Sequence, residues 1–226
     1  MVPAPSLLEK EDVKSLILAS AIAFAAASTA GADANLIING NFDTDVVPWV
    51  KVNDNFAIVW DPADSAGLQD SGSARVTSSQ VDQGGTMNGG AGAQECIEVV
   101  PSANYAVSAA YFIPSGQDRT AEPDIGIAWF LDSQCLTTAL PPEQSLIPQG
   151  ESTTDMWLPL GGDVVAPDDS HSANVILRPR KLEAGGSVDV LFDAVAFVPE
   201  PGAAALGASA VAALAIRRRL LTCITS

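Results

Sequence analysis

Tyr105-Ala106-Val107-Ser108-Ala109-Ala110-Tyr111-Phe112-Ile113 sets Tyr105, Val107, Ala109, Tyr111 and Ile113 at every second position, with mostly smaller or polar residues between. Side chains of a strand alternate between its two faces, so this spacing predicts a strand with one buried side. Working outward, similar short runs recur, rich in β-branched and aromatic residues and separated by clusters of Gly, Pro, Asp and Ser. They are Leu36–Phe42, Asn55–Trp60, Ala74–Thr77, Glu95–Val100, Ile125–Leu131, Met156–Leu160, Asn174–Arg178 and Val188–Val198. Neither an internal repeat nor a long helical period interrupts them, and the Gly-rich stretch 83–92 reads as a loop. The pattern predicts an all-β fold, a two-sheet jelly-roll β-sandwich over residues 35–197.

The two ends read differently. Residues 15–30 (SLILASAIAFAAASTA) form an uncharged run of signal-peptide length, followed by small residues suited to cleavage after Ala30 or Ala34. Residues 1–34 are therefore expected to be a signal peptide that forms a short helix. The acids Glu9, Glu11 and Asp12 sit among Lys10 and Lys14, which departs from the usual basic start. At the other end, Gly202–Ile216 holds only Gly, Ala, Leu, Val, Ile and one Ser, ahead of Arg217, Arg218 and Arg219. As a helix it would span about 22 Å, short for a stable membrane crossing. The arginines would stay cytoplasmic, which puts Pro199 and Pro201 outside the inner membrane during export. Two prolines around Glu200 keep that segment extended, as a protease requires.

The order Val198-Pro199-Glu200-Pro201, apolar helix, arginine cluster resembles the PEP-CTERM sorting signal of Gram-negative bacteria that make exopolysaccharide. The resemblance covers Val198–Arg219 and implies an exosortase-type processing enzyme as partner. It also implies removal of the helix and arginines, and delivery to the cell envelope, outer surface or extracellular matrix. Leu220–Ser226 extends beyond the point where such tails usually stop, and a plain C-terminal anchor is the other reading of 198–226.

Acids and bases at the two ends cancel, so the net charge of −16 rests on residues 35–198. A domain so acidic repels phosphate backbones, which excludes nucleic acid as a partner. Of three cysteines, Cys96 and Cys135 lie in the middle domain and Cys223 beyond the arginines. In an exported protein the first two are expected to pair, closing a loop of about 40 residues and stabilising the fold by about 4 kcal/mol. Two separate buried thiols are the alternative.

Several phrases resemble carbohydrate-binding modules of the CenC type, within the galactose-binding-like jelly rolls. They are Asn35-Leu36-Ile37-Ile38-Asn39-Gly40-Asn41-Phe42-Asp43 with Trp49, Ser71-Gly72-Ser73-Ala74-Arg75-Val76, Trp157-Leu158-Pro159-Leu160, and Val190-Leu191-Phe192-Asp193-Ala194-Val195. The ordered set spans most of 35–198. The resemblance implies a structural calcium ion at Asp43, the backbone near Ser71 and Gly72, and Asp193, all oxygen donors of the type calcium takes. It also implies core places for Trp49 and Trp157. That leaves Trp60, Tyr111 and Trp129 as candidate platforms for an extracellular polysaccharide.

Catalytic signatures are sparse. His171 is the single histidine, in an acidic loop, and neither a nucleophile elbow nor a zinc ligand set occurs. A non-catalytic, exported glycan-binding protein is the expectation. A structural matrix or adhesion protein without sugar binding is the alternative, and a small glycan hydrolase ranks below both.

Overall fold

The computed structural model describes residues 35–81, 92–148 and 153–200. The expected signal helix, most of the Gly-rich stretch, the apolar helix, Pro201 and Arg217–Arg219 lie outside the described residues. Among the described residues no helix is long and apolar enough to cross a membrane.

Among the described residues ten strands form two five-stranded antiparallel sheets. In chain order they are β1 (Val50–Lys51), β2 (Phe56–Asp61), β3 (Ser73–Ser78), β4 (Ala93–Glu98), β5 (Asn104–Phe112), β6 (Ala121–Phe130), β7 (Leu140–Leu146), β8 (Trp157–Val165), β9 (Ser172–Lys181) and β10 (Val188–Pro199). The first sheet runs β1-β4-β9-β6-β7, the second β2-β3-β10-β5-β8. One apolar core fills the space between them. Tyr105, Val107, Ala109 and Tyr111 enter it from β5, while Ile125, Ile127 and Trp129 enter from β6 opposite. The alternation read in residues 105–113 is thus the inward side of a central strand.

Two expectations are corrected. Leu36–Phe42 is not a strand. It lies along the end of β10 through Leu36 N–H to Phe197 O at 2.9 Å and Val195 N–H to Gly40 O at 2.8 Å. The Asn35 side chain reinforces this contact, accepting from Phe197 N–H and donating to Val195 O. Glu95, buried among the core-facing residues of β4, also accepts from Ile38 N–H at 2.9 Å. Conversely β7, Leu-Pro-Pro-Glu-Gln-Ser-Leu, reads as loop because of Pro141 and Pro142. It forms the edge of its sheet, where a proline's missing N–H costs no ladder bond.

Cys96 and Cys135 are joined in a disulfide. It fastens connection 131–139 to β4 and places Cys135 on the outward side of the first sheet. There Ala128, Phe130 and Ile176 form a small second cluster with Val52 and Cys135. This cover is why β6 and β9 are buried on both sides.

Candidate functional site

The expected metal corner forms only in part. Ser71 Oγ lies 3.2 Å from both Asn41 O and Asp43 Oδ1, so the turn at 41–43 meets the loop ahead of β3. Asp193 is buried, and its carboxylate accepts from Ser65 N–H at 2.8 Å and Ala194 N–H at 2.6 Å. Gly72 serves packing: a Cβ there would stand 2.3 Å from Asp61 O and 2.6 Å from the Trp60 ring. Ser73, opposite Asp61 in register, has a fully buried hydroxyl without a hydrogen-bond partner. Oxygens of the right type for calcium therefore gather here. Among the described residues, however, no three His, Cys, Asp or Glu side chains cluster as a metal site.

The three aromatic candidates separate. Trp129 is fully buried and Tyr111 is 2% exposed, both pointing into the core, so neither offers a ring face to a sugar. The cause is register: odd positions of β5 and β6 face the opposing sheet, and both residues fall on them. Trp60 remains at the surface, 38% exposed, with its Nε1–H held by Phe42 O at 2.7 Å. Trp49 is buried against Phe42, as expected.

Trp157 is not a core residue. It stands opposite Phe112 in the β5–β8 pair, on the outward side of the second sheet. The two half-buried rings lie 5.5 Å apart, tilted by 48°. Beside them this side carries mostly small residues: Ala106, Ser108 and Ala110 on β5, with Pro159 and Gly161 on β8. It also carries Asp163 on β8 and the buried Leu191 of β10, opposite Phe112. The face is consequently shallow, with one aromatic pair standing at its end. Counting inward positions from Tyr105 would have placed Phe112 outward. The family phrase around Trp157 pointed the other way.

A cavity of about 450 Å³ lies where these strands end. Its walls are the β5–β6 connection over residues 113–121, with Thr154 just before β8 and Glu183 just after β9. The walls are braced. Ser115 N–H donates to Asp155 Oδ1 at 2.8 Å, and Asp155 N–H to Ile113 O at 2.9 Å. Gln117 bonds the backbone of Asp189 in both directions, while Arg119 Nε–H donates to Ala184 O at 2.8 Å.

The outward side of the first sheet is closed instead. Arg178, on β9, pairs with Asp124 on β6 at 2.8 Å and with Glu143 on β7. Ser145 Oγ donates to Asp124 at 2.7 Å. Burial pushes the Asp124 carboxyl up, opposed by Arg178 and Ser145. These ion pairs bind three strands together, while Arg178 Nε is buried without a hydrogen-bond partner. Among the described residues His171 makes backbone bonds alone, donating its N–H to Phe130 O and accepting from Val99 N–H at its carbonyl.

No family model matches the chain, and no curated protein matches it. Solved structures do. The chain is similar to Family 16 Carbohydrate Binding Module-2, with 16% identity and a TM-score of 0.50, over 73% of this chain and 99% of that one. It is similar to the CBM22-1 xylan-binding domain from Paenibacillus barcinonensis, with 12% identity and a TM-score of 0.50, over 77% and 99%. It also resembles the CBM22-1-GH10 modules of a Clostridium thermocellum endo-1,4-beta-D-xylanase complexed with xylohexaose, with 12% identity and a TM-score of 0.50. Of that longer chain it spans 29%, against 75% of its own length. At these identities the likeness is one of fold alone: residues 35–199 form a two-sheet β-sandwich of the architecture those modules have.

Proposed function

We propose that this chain is an exported, non-catalytic surface protein whose β-sandwich binds an extracellular polysaccharide, with Phe112 and Trp157 as its platform. The observation that carries the reading is that pair, standing on an open side of mostly small residues beside a braced polar cavity. Sugar rings stack their C–H faces on aromatic rings, and hydroxyls take hydrogen bonds at the margin. The fold is shared with modules whose names state carbohydrate or xylan binding, which supports the same reading. A glycan array that includes xylan tests it, and binding to no glycan would overturn it.

Two further parts belong to this reading. Calcium, held by Asp43 with the Asn41 carbonyl and the Ser71 region, would tie the 41–43 turn to the loop before β3. A melting temperature unchanged between calcium and chelator would remove it. The Pro-Glu-Pro tail would address the protein to the cell surface through an exosortase-type enzyme. Val198 and Pro199 are the last residues of β10, paired with Ala106 and Tyr105, so cleavage would fall next to the folded edge. Intact-mass analysis of the exported protein tests this, and a mature chain still ending at Ser226 would contradict it.

A further inference from the structure

We infer that the cavity beyond β5 and β8 is a chain-end subsite, taking the terminal residue of a neutral glycan whose next ring lies on Phe112 and Trp157. The inference rests on the aromatic pair being the platform. It adds where the glycan stops and what charge it carries.

Position makes the first point. Phe112 is the last residue of β5, and Ile113 and Pro114 directly after it line the cavity. Trp157 opens β8, three residues after Thr154 on the opposite wall. The cavity therefore starts one residue beyond Phe112 and three residues before Trp157, at the connections of the sandwich end, and neither ring is itself part of its lining. Glu183, following β9, and Ala121, opening β6, complete those walls. A volume of about 450 Å³ falls within the range of about 300–1,000 Å³ typical of small-molecule sites. It suits a few rings at most, where a continuous polymer needs a groove open at both ends.

Chemistry makes the second. Ile113, Pro114 and Ala121 provide apolar surface for C–H faces. Ser115, Thr154 and the carboxylates of Asp118 and Glu183, the latter already accepting from Thr120 Oγ1 at 3.2 Å, provide hydroxyl partners. Arg119 is the one cation among the described residues of the lining, and its Nε and Nη1 already donate to Ala184 O and Asp118 O. Two acids against one engaged base, on a chain of net charge −16, repel uronates and phosphates. Neutral sugars remain. The braces described above fix these walls before ligand arrives, which lowers the entropic cost of binding.

The experiment is calorimetric titration of the full-length chain, and of Thr154→Arg and Trp157→Ala, with neutral hexasaccharides. Each hexasaccharide is used free, capped at its reducing end with a bulky fluorophore, and extended at its non-reducing end. Circular dichroism melts establish that each variant is folded. The expected result is at least a tenfold loss of affinity in Thr154→Arg, and a similar loss for one of the two end-modified forms. Binding of both end-modified forms at full affinity, with Thr154→Arg unchanged and Trp157→Ala impaired, would leave the platform standing and overturn the subsite. A uronate hexasaccharide that binds more tightly than its neutral counterpart would overturn the charge assignment. If no hexasaccharide binds the unmodified chain, subsite and platform fall together.

Discussion

Arg178 lies across Gly126: a Cβ on that glycine would stand 2.3 Å from Arg178 Nη2. The empty Cα position lets the guanidinium cross β6 and reach Asp124 at 2.8 Å and Glu143 beyond it. Gly126 stands opposite Ile176 on β9 and Ser145 on β7, so the contact spans β9, β6 and the edge strand β7. Gly126→Ala should displace the guanidinium and leave buried charges poorly paired. We expect a loss of about 2–3 kcal/mol, read as a lower urea midpoint with an unchanged slope. A midpoint within error of the parent would show that Arg178 has another route to its partners.

The disulfide between Cys96 and Cys135 spans 39 residues. Chain entropy puts its contribution at about 4 kcal/mol. The Cys96→Ser/Cys135→Ser double variant should lose that much stability in denaturant titration. It should also raise hydrogen exchange across 131–139 more than in β5. Equal exchange in both would mean that the Asp132 cap alone holds the connection, since Asp132 accepts from Gln134, Leu136 and Thr137 N–H.

Glu95 gives a pH signature. Burial lifts its carboxyl above the ordinary 4.5, opposed by the Ile38 N–H. A native state that holds this proton more tightly than the unfolded chain loses stability as pH rises. The cost is absent below the unfolded pKa and complete above the raised folded value. Glu95→Gln keeps an oxygen for Ile38 and does not ionise. Its stability relative to the parent should increase from pH 4 to pH 8 in thermal melts at matched ionic strength. A flat difference would mean that Glu95 ionises in the folded protein as freely as in water.

Trp129→Ala and Trp157→Ala should separate core from surface. Removing the fully buried Trp129 leaves a large void between the sheets, at a cost of about 3–5 kcal/mol. Trp157 is half-buried at the edge strand of its sheet, and its removal should cost less than half as much. Melting temperatures of the two variants measure this directly.

These contrasts show what the sequence carried and where it fell silent. Alternation over 105–113 named the inward side of β5 correctly because a strand's period is fixed by its pleat. The same register put Tyr111 inside, yet aromatic identity alone suggested a sugar platform. Trp129 misled for a related reason: β6 is buried on both sides, and from Ile125 to Phe130 no polar residue alternates with the apolar ones to mark Trp129 as core. β7 was illegible because its prolines signal a break, and an edge strand tolerates them. Asp124, Arg178 and Glu143 are far apart in sequence and meet only through strand order, which local pattern does not encode. The end cavity is likewise made by three connections that only the topology brings together. The cysteine pair was legible because the expectation of export favours pairing and only two cysteines lay within the domain.

The central claim is that glycan is held by the Phe112 and Trp157 pair. Its most direct test is affinity electrophoresis of the full-length chain against neutral polysaccharides, comparing the parent with Trp157→Ala and Trp60→Ala. Retardation by at least one polysaccharide, lost in Trp157→Ala and kept in Trp60→Ala, is the predicted result. Retardation kept in folded Trp157→Ala and lost in Trp60→Ala would contradict the account and move the platform to the edge of β2.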